Sequence, residues 1–415
     1  MKILLKSLNY TPELTGIGKY NGEMCQAFAD NGLDVTAIVA PPYYPQWQVS
    51  PGYRNFWYEK AQLEGVKLIR CPLYVPNNVT TIKRLIHLCS FAFTAGLAMM
   101  TQIFNRPNVI MLVQPTLFCA PFGLLYAKLI GATTIMHIQD FEVDAMFGLG
   151  MAREGKVMSV VKGVESWLLK RFDAISTISY SMIEIAKSKG VDERKIIYFP
   201  NWSDIEFVTP HSDGSALKKE WGFKATDKVI LYAGNIGHKQ GLEIVLEAAH
   251  YFQEQTYIKF VLVGAGAYAA TLRGLVDKRK LTNVFFKPLQ PWVIVPQMLA
   301  LADIHLVVQK KGAADAVLPS KLTNILSAGG HALVTAEPHT ELGAIAAKHV
   351  GIFHCVEPEN VTAFIDGITH FLSEDLTTHN SIARKFAESN LAKDKILEQF
   401  IANLEALTET EYVLS

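Results

Sequence analysis

The chain has no charge imbalance, and it is poor in charged residues of either sign. Its 39 basic and 39 acidic residues cancel, and together they make up only 19% of 415 residues. Without a net positive field, a nucleic acid partner is not expected. Apolar residues reach 50%, enough to fill large buried cores. At roughly 150 residues per domain, the length indicates two or three domains, and we take two as the first expectation.

Cysteine is also scarce, and several sequence signatures of known chemistry are missing. The five cysteines lie far apart and form no C-x-x-C pair, which fits a reducing compartment and offers no disulfide framework or zinc site. H-E-x-x-H, G-x-S-x-G and Walker A patterns are absent, so hydrolase and P-loop templates find no support. Only three apolar residues separate Lys2 from Lys6, too few for a secretory signal. We expect a cytoplasmic protein.

What the chain does contain is a regular alternation of short β-branched runs and longer helical patterns, typical of parallel βαβ units. The predicted strands begin at Lys2, Asp34, Val66, Asn108, Ala132 and Ala174 in the first half, and at Lys228, Ile258, Asn283, Asp303 and His331 in the second. Each half opens with a strand, a glycine turn and an amphipathic helix. The sequence therefore predicts an α/β protein of two doubly wound, Rossmann-like domains facing a cleft.

Domain boundaries follow from interruptions of these patterns. Pro200, Pro210 and Gly214 break both periodicities, which predicts one domain over 1–200 and a second over 201–385. The tail, 386–415, is expected to be a helix that docks back on the N-terminal domain.

The second glycine turn, "YAGNIGHKQGLE" from Tyr232, suits a phosphate. Gly234 and Gly237 allow close approach of backbone N–H groups, and Lys239 adds a charge. An ordinary βα turn explains the same glycines about as well.

A competing hypothesis comes from "VGAGAYA", which matches the dinucleotide fingerprint at Gly264 and Gly266 and favours an NAD(P)-dependent dehydrogenase. Two features weaken it. The acidic residue expected about 20 positions on is missing, and the pattern follows the second strand of its half instead of the first.

Two further clusters could contact a substrate. One cluster lies at the carboxyl end of a predicted strand and consists of His137, Gln139 and Asp140, followed by Glu142 and Asp144. A buried core histidine and acidic residues that cap a helix would give the same pattern. The loop from Pro41 is rich in aromatic rings that could stack on a sugar or simply pack on their own domain. Its candidates for an acceptor are Tyr43, Tyr44 and Trp47.

The chain resembles the retaining glycosyltransferases of family four, which have the GT-B fold, and is most similar to the colanic-acid and exopolysaccharide members. The most specific segments are "TPELTGIGKY" and "VLPSKLTNILSAGG"; "PPYYPQW", "FPNWSD" and "GNIGHKQGLE" agree. Such enzymes transfer a sugar from a UDP- or GDP-linked donor bound by the C-terminal domain to an acceptor bound by the N-terminal one. The resemblance implies no metal and no cofactor beyond the nucleotide-sugar itself.

The resemblance also implies residue roles. Donor contacts would involve Gly16, Gly18, Gly234, Asn235, Gly237, Gly264, Gly266, Asp315, Ser320 and Asn324. Lys239, Lys321, Asp140 and His137 would act in catalysis, and Gln139 would face the acceptor with the three aromatic residues.

This sequence departs from the family pattern at three places. Asn235 stands where an Arg is common, Ala316 and Asn324 replace two glutamates, and Gln139 replaces a histidine. The charge facing the leaving group would therefore depend more heavily on Lys239 and Lys321. A GT-B protein that binds nucleotide without transfer, such as an epimerase, is a further alternative.

The apolar segment from Leu85 to Phe104 is near the roughly 20 residues a bilayer requires. A span would separate two strands of one sheet, so a buried helix or a surface helix that dips into the membrane beside Lys83 and Arg84 remains. An acceptor linked to polyprenyl diphosphate, with peripheral attachment to the inner membrane, is the expectation from the resemblance.

Overall fold

The computed structural model describes residues 1–13, 16–78, 80–114, 117–141, 156–312 and 318–414, without the side chains of 156–158 and 410–414. The chain divides into two compact units, one of Met1–Pro200 with Leu397–Ser415 and the other of Asn201–Ile396. Each unit is built around its own sheet.

The first unit contains an eight-stranded sheet in the order β3-β4-β2-β1-β5-β6-β7-β8, parallel except for the β3–β4 pair. Its strands are β1 Lys2–Ser7, β2 Asp34–Val39, β3 Glu59–Leu63, β4 Val66–Arg70, β5 Val109–Gln114, β6 Thr133–Ile138, β7 Ala174–Thr177 and β8 Ile196–Tyr198. Its helices are α1 Ile17–Asp30, α2 Thr81–Met100, α3 Ala120–Ile130, α4 Lys156–Leu169 and α5 Tyr180–Ser188. The direction of the crossovers reverses between β1 and β5, which makes their carboxyl ends the switch point where ligands of such sheets bind.

The second unit contains a six-stranded parallel sheet in the order β11-β10-β9-β12-β13-β14. Its strands are β9 Lys228–Ala233, β10 Ile258–Val263, β11 Val284–Lys287, β12 Ile304–Val307, β13 Ala332–Thr335 and β14 His354–Val356. Its helices are α6 Ser215–Glu220, α7 Glu243–Tyr251, α8 Ala269–Arg279, α9 Val295–Ala300, α10 Ser320–Ser327, α11 Glu341–Lys348, α12 Val361–Ser373 and α13 Ser381–Asn390, followed by α14 Lys393–Leu414. The switch point here lies between β9 and β12.

All eleven predicted strands are present, and the predicted apolar face of α7 is buried. Most of the predicted strands are largely buried, which is why they appear in the sequence as continuous apolar runs. Three strands escaped prediction. β3 is polar and mostly exposed at the sheet edge, while β8 and β14 are three residues long, so none of them carries a hydrophobic pattern.

The C-terminal tail differs from the single helix expected over 386–415. α13 ends at Asn390, and α14 begins at Lys393. The break arises because the backbone pairs with Ser203, whose N–H donates to the Leu391 carbonyl and whose carbonyl accepts from Lys393 N. Further along α14, the Phe400 ring stacks on Phe199 at 3.8 Å within the first unit.

Candidate functional site

In the second unit, the glycine turn after β9 is bonded to the loop after β10. Gly234 N donates to Val263 O and Ile236 N donates to Ala265 O, both at 2.9 Å. A Cβ on Gly264 would overlap the Gly234 carbonyl oxygen, and one on Gly266 would overlap that of Ile236. The two glycines of the dinucleotide-like pattern are thus required for one loop to pack on the other.

The sequence suggested that this turn leads straight into an α-helix, but the structure differs. A short 3₁₀ turn, His238–Gln240, comes first, and α7 begins only at Glu243 because Gly241 adopts a left-handed φ of 60°. The N–H of Gly237 is already bonded to the Gln240 side chain at 3.1 Å. Gly237 therefore does not lie at the N-terminus of an α-helix, where free backbone N–H groups would suit a phosphate.

Lys321, in the first turn of α10, brings a positive charge to the Gly234 turn. Its Nζ donates to the Tyr232 hydroxyl oxygen at 2.9 Å and lies 4.1 Å from the centroid of that ring. A Cβ on Gly234 would be 3.1 Å from the same Nζ, so the ammonium lies against the glycine. Burial lowers the pKa of Lys321 to about 7. No carboxylate of a described residue pairs with it, so an anionic ligand would supply the missing partner.

The hydrogen bonds of Tyr232 explain how Lys321 is held. The phenol, which is fully buried, donates to the Asn235 carbonyl at 2.6 Å and accepts from Lys321. Burial raises the pKa of Tyr232, so the ring stays neutral. Tyr232 thus ties the glycine turn to α10, a role for which its sequence position gave no signal.

The other donor-side candidates divide by exposure. Lys239 and Asn235 are exposed, and the Lys239 side chain forms no ion pair with a described residue. Ser320 is exposed at the start of α10, a helix without a side-chain cap. Asn324 accepts from the Ser203 hydroxyl at 2.9 Å, which leaves its amide nitrogen as a donor for a ligand. Asp315 and Ala316 lie outside the described residues.

A shallow, open depression lies beside this turn, at the carboxyl edge of β12 and β13. Its polar lining includes Gln309, Lys310, Thr335 and Glu337, none of which the sequence singled out. Lys310 N donates to the Lys239 carbonyl at 3.0 Å, so the depression adjoins the glycine turn. Nothing in the sequence pattern could have revealed it, because the lining comes from separate strands.

In the first unit, a buried carboxylate organises the loops after β1 and β2. Glu13 accepts from Asn9 Nδ2 at 2.9 Å and from the backbone N–H groups of Tyr43 and Tyr44 at 3.1 Å each. A Cβ on Gly18 would lie 2.8 Å from the Glu13 side chain, so the glycine permits this approach. Gly16 is exposed with a left-handed φ of 62° and begins α1 without a side-chain cap. The sequence gave Glu13 no role, yet it links the two loops.

The three aromatic candidates occupy different environments. Tyr43 is 3% exposed, and its hydroxyl bonds to His87 Nε2 at 3.1 Å. Its ring therefore supports the loop and is not available to a sugar, contrary to the expectation. Tyr44 is 43% exposed and Trp47 is partly exposed, so these two remain acceptor-side candidates.

His137 is buried, and both of its ring nitrogens are engaged. Nδ1 bonds to the Ser176 hydroxyl at 2.9 Å, and Nε2 accepts from the Gln139 amide at 2.8 Å. Burial lowers the pKa of His137 to about 3, so the ring is neutral and cannot serve as a proton acceptor near pH 7. The expected catalytic role is not supported; His137 positions Gln139 instead, while Asp140 is exposed at the end of β6. Glu142 and Asp144 lie outside the described residues.

Gln114 is a residue that sequence reasoning missed. It ends β5 at the switch point, is fully buried, and neither atom of its amide has a hydrogen-bond partner among the described residues. A buried amide without partners is costly. Its position suggests that a ligand or an ordered water completes it.

The two parallel-sheet units and their glycine turns define a two-domain glycosyltransferase of the GT-B fold. Two family models match, glycosyl transferases group 1 over residues 214–389 and the glycosyl transferase 4-like domain over residues 15–202. Among curated proteins, the chain is 49% identical over 97% of its length, and over 100% of the relative, to the putative colanic acid biosynthesis glycosyl transferase WcaI of Escherichia coli. The chain belongs to family four of the glycosyltransferases, which excludes the dehydrogenase alternative.

Other similar proteins agree with this class. The probable glycosyltransferase WbjE of Pseudomonas aeruginosa is 23% identical over 70% of the chain and 72% of its own length. Sucrose-phosphate synthase of Thermosynechococcus elongatus has a TM-score of 0.77 at 14% identity, with 100% of both chains covered. HepE of Anabaena, solved with UDP, has a TM-score of 0.71 at 15% identity, covering 98% of this chain and 100% of its own. These structures establish the fold. Within the described part of the chain, no three His, Cys, Asp or Glu side chains are grouped as a metal site would require.

Proposed function

We propose that the protein is a retaining, metal-independent hexosyltransferase that moves a sugar from a UDP- or GDP-linked donor to a polyprenyl-diphosphate-linked saccharide, in a pathway like that of colanic acid. The observation that carries the proposal is the Lys321 ammonium, held by Tyr232 against Gly234 without a carboxylate partner among the described residues. HepE binds UDP in its solved complex, and WcaI bears the colanic-acid assignment, which supports the donor class and pathway.

The proposed chemistry needs charge stabilisation more than proton transfer. A nucleotide-sugar carries a diphosphate leaving group, so the enzyme has to stabilise the negative charge that develops as the glycosidic bond breaks. Lys321 and the uncapped start of α10 would face that charge, with Lys239 as an exposed second cation. The acceptor hydroxyl attacks from the side of the leaving group, whose oxygen takes the hydroxyl proton. No protein base is then required, consistent with the neutral His137.

Acceptor recognition is assigned to the first unit. Tyr44 and Trp47 would stack on the acceptor sugar, and Gln139, positioned by His137, would bond its hydroxyl groups. A lipid-linked acceptor requires the enzyme to work at the cytoplasmic face of the inner membrane.

Thermal unfolding with UDP or GDP, each with and without EDTA, tests the donor site, since a ligand that binds only the folded protein raises its Tm. We expect one of the two nucleotides to raise Tm by the same amount with and without EDTA. Lys321→Met should lower the affinity for that nucleotide at least 10-fold. The control Lys278→Met, which changes an exposed lysine at the end of α8, should leave this affinity unchanged. An unchanged shift in Lys321→Met would show that the leaving-group site is elsewhere.

A second experiment addresses transfer itself. The anomeric configuration of the product, read by NMR, should match that of the donor. Inversion, or nucleotide binding without any transfer to a lipid-linked acceptor, would overturn the proposed reaction and favour a non-transferring member of the fold.

A further inference from the structure

Helix α2 and the segment after it present a continuous apolar stripe to the outside of the first unit. Exposed apolar residues recur at steps of three, four or seven positions, the spacings of one helix face. They are Ile82, Ile86, Phe93, Leu97, Met100 and Phe104, with exposures from 47% to 94%. The opposite side of α2 is buried, including Leu88, Phe91 and Ala95. The stripe is therefore the outward side of a helix that is already packed.

Helix α3 and the turn before it extend this surface. Their exposed apolar residues follow the same spacing and are Phe118, Phe122, Leu125 and Leu129, with exposures from 43% to 62%. α2 and α3 are neighbours, since a Cβ on Gly96 of α2 would lie 3.4 Å from the Phe122 ring. We call these ten side chains the apolar face. Scattered exposed apolar residues are ordinary, but a contiguous face on two packed helices marks an interaction site.

The apolar face does not mark a membrane span. α2 is long and apolar enough to cross a bilayer, but 44% of its most apolar window is buried in the protein. It also connects β4 to β5, two strands of one sheet, so its ends cannot lie on opposite sides of a membrane.

The surrounding charge is of one sign. No Asp or Glu occurs from Gly65 to Gln139, where the chain-wide frequency of 39 in 415 would place about seven. Lys83 lies in the first turn of α2, Arg106 in the segment between α2 and β5, and Lys128 in the last turn of α3. None of them forms an ion pair with a described residue. An apolar face with a basic margin and no acid is complementary to an anionic, amphiphilic surface.

We propose that the apolar face docks on an anionic lipid bilayer, with α2 lying in the plane of the interface. The inference deepens the proposed function, since it names the surface and lipid class through which a lipid-linked acceptor is reached. A second copy of the chain fits the face less well. A twofold contact would bring Lys83, Arg106 and Lys128 of both copies together, with no acid in the segment to pair with them.

The experiment is flotation of the full chain with vesicles of phosphatidylglycerol and phosphatidylcholine at 1:1, compared with pure phosphatidylcholine. We expect binding to the anionic vesicles that weakens with salt. Phe93→Glu with Leu97→Glu should reduce partitioning at least 10-fold, and Lys83→Gln, Arg106→Gln and Lys128→Gln combined should reduce it roughly 100-fold. The matched control, Val293→Glu with Val350→Glu, changes two exposed residues of the second unit and should bind as wild type does.

Cys89 provides an independent readout, because it is exposed on the same stripe while Cys25, Cys71 and Cys119 are buried. In a Cys355→Ser background, a polarity-sensitive fluorophore on Cys89 should shift to the blue on addition of anionic vesicles. A Cys89→Ser protein carried through the same labelling reports the background.

Three outcomes would contradict the proposal: no binding to anionic vesicles, equal binding by the Phe93→Glu/Leu97→Glu variant, or a dimer that this variant dissociates while wild type ignores vesicles. The last would assign the face to a second copy. Nucleotide-induced shifts in Tm separate this test from that of the proposed function. If a variant no longer binds vesicles but UDP or GDP still raises its Tm, only the apolar face is affected. If a variant still binds vesicles but neither nucleotide raises its Tm, only the donor site is affected.

Discussion

The Lys321 ammonium and the Tyr232 hydroxyl are 2.9 Å apart, and this hydrogen bond leaves a positive charge against the Gly234 turn without an acidic partner among the described residues. The Lys321 side chain is only partly protonated near neutral pH, because burial lowers its pKa to about 7. The site is thus matched to a ligand that brings its own negative charge.

Binding of UDP or GDP should therefore take up a proton. The diphosphate favours the charged lysine and raises its pKa above 7, so between pH 7 and 8.5 the affinity should fall as pH rises. Calorimetry in two buffers of different ionisation enthalpy measures the uptake. Lys321→Met should abolish it, and the exposed-site control Lys278→Met should retain it. Equal heats in both buffers with wild type would refute the coupling.

The same lysine should destabilise the protein without nucleotide. Its folded pKa of about 7 is below the unfolded value of about 10.4, so the charged form is penalised on folding. The penalty is complete below pH 7 and disappears as pH rises toward 10. Lys321→Met should then exceed wild type by roughly 2–4 kcal/mol in free energy of unfolding at pH 6.5, with the gap closing at pH 10. Denaturant titrations at both pH values measure this, and a gap independent of pH would point to packing alone.

Gly264→Ala should unfold or strongly destabilise the second unit. Its φ of 142° and the Gly234 carbonyl oxygen leave no room for a Cβ, so a loss of at least about 3 kcal/mol is expected. Gly274 is the matched control, an exposed helical glycine of α8 where an added Cβ would meet nothing within 4 Å. Gly274→Ala should stabilise by about 0.5–1 kcal/mol. Thermal unfolding followed by circular dichroism compares the stability of the two variants. A small loss of stability in Gly264→Ala would mean that the two loops separate easily.

Glu13→Gln should loosen the loop that carries Tyr44 and Trp47. The carboxylate accepts three N–H donors, whereas an amide offers only one oxygen and turns its own NH₂ toward the others. We expect a cost of about 1–3 kcal/mol in stability. Transfer should fall through a higher KM for the acceptor, with UDP or GDP binding unchanged. Stability equal to wild type would show that Glu13 does not hold the loops, and Glu23→Gln, a partly exposed acid on α1, is the control.

Several features followed from the sequence alone. The alternation of apolar strand runs with 3.6-period helices determined two parallel α/β units, because strands buried on both faces must be continuously apolar. The segments around Gly16 and Lys321 indicated the glycosyltransferase family, which the family models and the relatives confirm. These signals are local, so a linear reading can detect them.

What the sequence could not decide depends on contacts between distant segments. Gly264 and Gly266 resembled a cofactor motif until the structure placed them against the Gly234 turn, and His137 seemed catalytic until Ser176 and Gln139 occupied both of its nitrogens. The apolar segment of α2 fitted either a buried helix or a surface helix that dips into the membrane, because composition does not tell which side of a helix is covered. Burial and hydrogen-bond partners are set by residues far apart in the chain, and only the tertiary structure brings them together.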